Sequence, residues 1–231
     1  MKILDNITNT VRDDLRVEIK KGSRVSIAAA CFSMYAYKEL KKQLETIDEF
    51  EFIFTSPTFV KEKTEKQKRE FYIPRISRET SLYGTEFEIK LRNEMTQRAI
   101  AKECADWIRR KATFKSNTTG ENMAGFMTVD SGAAQTAYMP IGGFTTVDIG
   151  CERGNNSYNM VNCMEAPFAR QYMKLFDTLW NDRDKMQDVT DVVLENISTA
   201  YAENSPEFIY FMTLYHVFSE FLDDISEDEL P

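Results

Sequence analysis

Two short apolar runs near the start of the chain most constrain its fold. Residues 25–32 (VSIAAACF) form a continuous, mostly apolar run, and residues 50–55 (FEFIFT) alternate phenylalanine with other residues before Ser56-Pro57. A continuous apolar run of this length is typical of a strand buried on both faces of an α/β sheet. Ser33, between the two runs, is suited to cap a helix. The order of these elements predicts two parallel strands joined by a helix, in an α/β fold.

The residues before the first run have helical periodicity. Apolar side chains recur every four positions, at Ile7, Val11, Leu15 and Ile19. This spacing places them on one face of a helix, and Gly22 follows as a stop. The pattern predicts a first helix over residues 4–21.

A basic, amphipathic stretch occupies residues 83–117. Thr85 and Glu88 have the spacing of a capping box. An apolar stripe follows, and lysine and arginine are concentrated toward the end of the stretch. Cations near a helix C-terminus interact favourably with the helix dipole, so their clustering requires no ligand. We predict a long helix that runs into a strand at residues 112–115, with a basic face that is either solvated or binds an anion.

Shorter strands and then helices are predicted for the remainder. Glycine-rich turns separate three β candidates, at residues 123–129, 136–139 and 144–149. From Met164 onward the pattern is helical throughout, over residues 166–180, 188–202 and 206–225. We therefore expect an α/β domain over residues 1–160 and a helical segment over residues 161–231, with acidic, aromatic helices that dock against another domain.

The net charge of −8 conceals a division along the chain. Residues 61–115 hold 15 Lys/Arg and 9 Asp/Glu, whereas residues 177–231 hold 2 Lys/Arg and 14 Asp/Glu. Within the basic part, residues 57–82 interrupt the α/β pattern with the charge-dense run KEKTEKQKRE. Such an insertion is either a solvated loop or a clamp for a polyanion, and the basic and acidic parts can also pair with each other.

Several familiar kinds of site do not occur in the sequence. Neither a Walker A loop nor a Gly-x-Gly-x-x-Gly fingerprint is present, so we expect no ATP hydrolysis and no cofactor in this chain. The single histidine, His216, lies in an apolar run, and the four cysteines form no Cys-x-x-Cys pair, so no zinc site is expected. No apolar run is long enough to span a membrane and no signal peptide is recognisable, which indicates a cytoplasmic protein without a membrane partner.

Anion binding is the chemistry that remains. Two polar turns follow predicted strands, at residues 115–120 and 153–157. Backbone N–H groups and hydroxyls in such turns can bind phosphate, although each segment is equally typical of an ordinary turn. Together with the basic helix and the 57–82 insertion, they predict a nucleic-acid partner bound mainly through phosphates, with salt-sensitive affinity. On these grounds the candidate phosphate ligands are Arg75, Arg78, Arg92, Lys115, Ser116 and Arg153.

Four segments carry a family resemblance: GSRVSIAAACFSMYAYKEL, SLYGTEFEIKLRNEMTQRAIAKECADWIRRK, PIGGFTTVDIG with ERGNN, and ENSPEFIYFMTLYHVFSEFLDDI. They resemble the N-terminal region of bacterial Swi/Snf-type superfamily II helicases, in which a phospholipase D-like domain precedes an ATP-driven DNA motor. The resemblance implies a phospholipase D-like mixed sheet flanked by helices. It also implies a DNA partner and a downstream motor domain, which would hold the ATP and Mg²⁺.

The catalytic signature of the phospholipase D family is absent. That family attacks phosphodiesters with the histidine of a His-x-Lys-x-x-x-x-Asp motif. In ENMAGFMTVD, Asn122 and Ala124 stand where the histidine and the lysine are expected, and no other segment carries the motif. The GGFTTVDIG run is similar to the family's glycine–serine phosphate-binding strand, which makes Thr145 and Thr146 candidate hydroxyl donors. The resemblance thus implies a non-catalytic accessory domain.

Two other functions stay open from the residues. One is a protein–protein interaction module, a homodimer for example, in which the basic face pairs only with the acidic end. The other is a metal-dependent nuclease whose carboxylates, such as Asp130 and Asp148 near strand ends, replace the histidine.

Overall fold

A computed structural model of the 231-residue chain describes residues 1–56, 86–119, 121, 123–153 and 159–198. Within these ranges the chain is a mixed α/β structure with five helices and one eight-stranded sheet. The helices are α1 (Val11–Glu18), α2 (Met34–Leu44), α3 (Glu86–Lys111), α4 (Phe168–Trp180) and α5 (Thr190–Ser198). The strands are β1 (Lys2–Leu4), β2 (Arg24–Ala29), β3 (Glu49–Phe54), β4 (Ala112–Asn117), β5 (Phe126–Asp130), β6 (Gln135–Met139), β7 (Val161–Glu165) and β8 (Met186–Asp188).

The sheet combines a parallel centre with antiparallel flanks. Its strand order is β1-β7-β6-β5-β2-β3-β4-β8. The predicted parallel pair is confirmed, because β2 pairs in parallel with β3, which pairs in parallel with β4. All other neighbouring strands are antiparallel. The long helix that runs into a strand is also confirmed, as α3 and β4.

The two faces of the sheet differ in chemistry. Helices α1, α2, α3 and α5 cover one face, where the alternate residues Phe50, Phe52 and Phe54 of β3 enter the main core. Helix α4 packs on the other face, which holds a smaller apolar cluster around Phe176. The α4 face also carries polar side chains from β2 and β3, because successive residues of a strand point to opposite faces of the sheet.

Aromatic side chains fill the main core between α3 and the sheet. Trp107 of α3 is fully buried, stacks obliquely on Tyr37 at 4.8 Å, and donates its indole N–H to the Leu44 carbonyl at 2.9 Å. Its ring also lies edge-on to Phe50 at 5.0 Å. Buried aromatic pairs contribute about 0.5–1.5 kcal/mol beyond their apolar burial. These contacts fix α3 against the sheet and determine which of its faces is exposed.

The N-cap of α2 is a prediction that the structure bears out. Ser33 has extended backbone angles, and its hydroxyl accepts the Tyr35 N–H at 3.2 Å. We expect Ser33→Ala to lower the free energy of unfolding by about 1 kcal/mol, because an N–H at the helix start loses its acceptor. Thermal unfolding should show a melting temperature lower by about 2–4 °C. Ser33→Asp, which keeps an acceptor, is the matched control, and an equal loss in both variants would contradict a capping role.

The first helix is shorter than the predicted span of residues 4–21. Residues 2–4 are a strand instead, and α1 begins at Val11 after the N-cap Thr10. The reason is local: the Asp5 carboxylate accepts backbone N–H groups from Ile7, Thr8 and Asn9 at 2.8–2.9 Å. Short polar side chains that bond nearby backbone compete with helix formation.

Residues 144–149 are not a strand, contrary to prediction. Phe144 makes one isolated parallel bridge to Phe32, and the chain then turns through to Gly150. Thr145 and Asp148 cause the turn, because the Asp148 N–H donates to the Thr145 hydroxyl at 3.1 Å and that hydroxyl donates to the Asp148 carboxylate. Local side-chain hydrogen bonds of this kind compete with strand pairing and favour a turn.

The chain is not helical throughout from Met164 onward. Met164 and Glu165 belong to β7, which pairs with β6 and β1, and β8 pairs with β4. Both strands lie in the part assigned to a helical segment. β7 has buried Val161 and Cys163 at alternate positions, a period of two, whereas β8 is three residues long and too short to show periodicity.

Other predictions lie outside the described residues. They are the insertion at residues 57–82, the Thr85 cap, the helix at residues 206–225 and the environment of His216. Among the helices that are described, none combines the length and apolar character needed to cross a membrane.

Candidate nucleic-acid interface

Helices α2 and α3 present a surface rich in lysine and arginine. α2 and residues 96–111 of α3 together carry eight Lys/Arg and three Asp/Glu residues, a net charge of +5. Lys41 Nζ lies 2.8 Å from Glu103 Oε2 and joins the two helices at this surface. We call the exposed side of α2 and of residues 96–111 the basic layer.

The cations at the C-terminus of α3 are engaged within the fold. Arg109 lies 2.7 Å from the Asp106 carboxylate, and Arg110 lies 3.0 Å from Glu45. Lys111 Nζ donates to the Ile47 carbonyl at 2.8 Å. These contacts attach the end of α3 to the α2–β3 connection. The most conspicuous basic cluster of the sequence, at the end of α3, therefore has local partners that offset most of its charge.

Four other cations of the basic layer are uncompensated. Within the part of the chain that the structure describes, Lys38, Lys42, Arg98 and Lys102 have no carboxylate within ion-pair distance. They form two pairs at i, i+4 spacing, one on α2 and one on α3, and like charges at this spacing repel by a few tenths of a kcal/mol. A phosphate between the members of a pair would remove that repulsion.

A groove between α1 and α2 adjoins the first pair. Its volume is about 440 Å³, and its lining includes Lys38, Lys42 and Arg16. Glu39 is the acidic residue of the lining, and two arginines of α1 approach it: Arg16 at 3.6 Å and Arg12 at 3.8 Å. Because α1 already neutralises Glu39, the lysine charge faces the groove without compensation. The groove is accordingly electropositive.

Lys115, a predicted phosphate ligand, lies on the opposite face of the sheet. Its ammonium donates to the Trp180 carbonyl at 2.7 Å and lies 4.3 Å from the centre of the Trp180 ring. A cation over an indole face gains about 0.5–1 kcal/mol at partly exposed sites. Lys115 therefore secures the end of α4, and the fold does not bring it together with the basic layer.

The turn after β4 is organised by Asn117 rather than by an anion. The Asn117 side chain is buried and donates to the carbonyls of Thr55 and Glu121, both at 3.1 Å. Its oxygen accepts the backbone N–H of Thr119 at 2.9 Å. Ser116 is also buried, and its hydroxyl donates to a neighbouring carbonyl at 3.3 Å. The Thr118 N–H donates to the Lys185 carbonyl at 2.9 Å, so Ser116 and the N–H groups of Thr118 and Thr119 are all engaged within the fold.

The two candidate threonines lie in residues 141–150, which we call the glycine-rich turn; Thr145 is half-buried and Thr146 is buried. The Thr145 hydroxyl donates to the Asp148 carboxylate, and burial raises the pKa of Asp148. Thr146 is 5% exposed, and its hydroxyl has no hydrogen-bond partner among the described residues. The turn packs tightly, since a Cβ on Gly143 would lie 2.5 Å from Cys31 Sγ. Thr145 thus stabilises the turn, and Thr146 faces the interior.

The remaining candidate ligands are arginines. Arg153 is exposed and follows the glycine-rich turn. Arg92 belongs to α3, but its side chain lies outside the described residues, as do Arg75 and Arg78. Phosphate contact by these four arginines stays a prediction.

Lys38 and Lys42 were not selected from the sequence, although a signal for them exists. The segment YKELKKQL places Lys38 and Lys42 four residues apart, opposite the buried Ala36, Leu40 and Leu44. Their exposure follows from that helical pattern. Their lack of an acidic partner does not follow from the helical pattern, because it depends on the approach of α1, whose arginines lie close to Glu39.

The carboxylates proposed for a nuclease are far apart. Asp148 lies in the glycine-rich turn, which contacts Gly125 just before β5, whereas Asp130 ends β5. The five residues of β5 extend roughly 17 Å, so the two carboxylates lie near opposite ends of this strand. Among the described residues, no group of three histidine, cysteine, aspartate or glutamate side chains is arranged to hold a metal ion.

Comparison with known proteins identifies no family. No protein-family model matches the chain, and no curated protein matches it.

Proposed function

We propose that this chain is a non-catalytic, phospholipase D-like accessory domain of a bacterial Swi/Snf-type superfamily II DNA helicase, and that its basic layer contacts DNA phosphates. The family assignment is supported by the resemblance of four segments, which are distributed between residues 22 and 225. A mixed sheet with a parallel centre and helices on both faces is compatible with it. ATP and Mg²⁺ would bind to the motor domain, which would also be the partner of the acidic C-terminal helices.

The surroundings of Gly125 support the absence of phosphodiesterase chemistry. Ala124 stands at the position expected for the catalytic lysine, and a one-residue shift of the alignment would place Gly125 there. A Cβ on Gly125 would lie 1.8 Å from the Ile141 carbonyl oxygen. The glycine-rich turn therefore occupies the space that a lysine side chain would need in the shifted alignment. In neither alignment can this segment neutralise a phosphate as the family's lysine does.

The two uncompensated cation pairs of the basic layer are the observation that carries the DNA proposal. Lys38 and Lys42 flank an electropositive groove, and Arg98 and Lys102 lie on the neighbouring helix. Lysine and arginine side chains without acidic partners contact phosphates without first breaking an ion pair. Such contacts position a protein on DNA and carry no sequence information. We therefore propose binding that is independent of DNA sequence.

Salt dependence of DNA binding tests this proposal. If four cations contact phosphates, the affinity for duplex DNA should fall about 100-fold between 50 and 200 mM salt, because each contact releases condensed counterions. Fluorescence anisotropy with a labelled 20-base-pair duplex measures this slope. Affinity that does not change with salt, or no binding at 50 mM salt, would overturn the proposal and favour a protein–protein interaction module.

The same protein tests the nuclease alternative. We expect no cleavage of duplex or single-stranded DNA with Mg²⁺ or Mn²⁺. Cleavage that is lost on Asp130→Asn or Asp148→Asn would show instead that the chain is an enzyme.

A further inference from the structure

A polar pocket lies on the face of the sheet opposite the basic layer. It is bounded by α4 and by strands β2, β5 and β6, and its volume is about 270 Å³. The residues that matter for its chemistry are Arg24, Ser26, Thr128, Asp130, Arg170 and Lys174. We call it the α4 pocket. It shares no residue with the basic layer or with the glycine-rich turn.

The floor of the pocket holds an unused hydroxyl. Ser26 and Thr128 are paired across β2 and β5, and their side chains are 3% and 2% exposed. The Ser26 hydroxyl donates to the buried Glu51 carboxylate at 3.0 Å. The Thr128 hydroxyl makes no hydrogen bond to another described residue, and Thr128 lines the cavity. A hydroxyl at this position can donate a hydrogen bond to a ligand that enters the cavity, or accept one from it.

The mouth of the pocket holds uncompensated positive charge. Arg170 and Lys174 are exposed and lie one turn apart on α4. Arg170 Nε donates to Gln135 Oε1 at 2.7 Å, which orients the guanidinium and leaves its outer nitrogens available. Neither residue has a carboxylate within ion-pair distance in the described part of the chain.

The other charged groups of the pocket have hydrogen-bonding partners within the fold, and those of Asp130 among the described residues are neutral. Arg24 lies 2.6 Å from Glu51 and 2.7 Å from Asp177. The Asp130 carboxylate accepts the Gly132 N–H at 2.8 Å and the Gln135 amide at 3.3 Å. The positive charge available to a ligand is therefore that of Arg170 and Lys174.

We propose that the α4 pocket binds a small phosphomonoester that also carries hydroxyl groups. Arg170 and Lys174 would hold the phosphate, since guanidinium and ammonium groups bind it by charge-assisted hydrogen bonds. Thr128 would bond a ligand hydroxyl. The volume equals that of about nine water molecules, which admits a molecule of the size of glycerol 3-phosphate. Because this site lies apart from the basic layer, it does not depend on the proposed DNA contact.

Titration calorimetry of the 231-residue protein with glycerol 3-phosphate tests the proposal. We expect saturable binding with a dissociation constant at or below about 1 mM. The double variant Arg170→Gln/Lys174→Gln should weaken it at least about tenfold, and Thr128→Val about fivefold. Thr128→Ser keeps the hydroxyl and should bind like the wild type. Lys38→Glu/Lys42→Glu, which alters only the basic layer, should also leave this binding unchanged.

Two further ligands separate the parts of the claim. Inorganic phosphate should bind more weakly than glycerol 3-phosphate, and glycerol should not bind. Equal affinity for inorganic phosphate would overturn the hydroxyl contact at Thr128. No saturable binding of glycerol 3-phosphate, or binding unaffected by the Arg170/Lys174 double variant, would overturn the pocket as a ligand site. The two exposed substitutions leave the core intact, so unchanged thermal unfolding of that variant confirms that the comparison is between folded proteins.

Discussion

Gly125→Ala is expected to lower the free energy of unfolding by about 3 kcal/mol, which corresponds to a fall in melting temperature of about 6–12 °C. The added Cβ would lie 1.8 Å from the Ile141 carbonyl oxygen and 3.2 Å from the Ala28 carbonyl oxygen. Both obstacles are backbone atoms. Ile141 cannot easily withdraw, because its N–H donates to the Gly125 carbonyl at 2.9 Å.

The matched control is Gly142, which lies in the glycine-rich turn next to Ile141. A Cβ on Gly142 would meet only the end of the Asp148 side chain, at 3.3 Å. Gly142→Ala should therefore change the free energy of unfolding by less than about 1 kcal/mol. Chemical denaturation of the two variants measures the difference. Equal stability of both would show that the glycine-rich turn does not pack against the start of β5 as described.

Arg24→Met is expected to destabilise the protein by about 3 kcal/mol at pH 8, because it leaves the Glu51 carboxylate buried without a cation. The Glu51 side chain is 4% exposed and accepts hydrogen bonds from Arg24 at 2.8 Å and from the Ser26 hydroxyl at 3.0 Å. Burial raises the pKa of Glu51 above its usual value, while the Arg24 guanidinium opposes that rise. The substitution removes the opposing charge.

The pH dependence of this loss has a definite sign. A carboxyl whose pKa is raised by folding binds protons more tightly in the folded state, so its contribution is favourable at low pH and is lost as pH rises through the raised pKa. Without Arg24 that pKa rises further. The Arg24→Met variant should therefore lose less stability at pH 5 than at pH 8. A second substitution, Glu51→Gln, should recover part of the loss at pH 8. Equal losses at both pH values would contradict the burial of an ionised Glu51.

The elements that could be predicted are those whose side-chain pattern is long enough to be periodic. β2 and β3 are continuous or alternating apolar runs, and α2 has a cap and an apolar face, so their order and parallel pairing followed from the sequence. β1 and β8 have three residues each, too few to show a periodic pattern. Their strand conformation depends on the strands with which they pair and not on their composition. Residues 144–149 have β-branched composition, yet the Thr145–Asp148 hydrogen bonds turn the chain.

The candidate site was less predictable, because charge in a sequence does not reveal its partners. Arg109 and Arg110 look available but contact Asp106 and Glu45. Arg24 is joined to Glu51 and to Asp177, 27 and 153 positions away in the chain. Lys115 lies on the face of β4 that is directed toward α4. This orientation depends on the strand register and not on composition. Only the three-dimensional pairing separates compensated cations from free ones.

The central claim is that the basic layer contacts DNA, and reversal of its α2 lysines tests it most directly. Anisotropy titrations at 50 mM salt would compare the wild type with Lys38→Glu/Lys42→Glu and with Lys20→Glu/Lys21→Glu, a control with the same change in net charge at an exposed site after α1. We predict that the first variant binds duplex DNA at least about 30-fold more weakly and has a smaller salt slope, whereas the control loses less than about fivefold. Equal losses in the two variants would show that binding follows net charge alone, and would contradict the assignment of the basic layer.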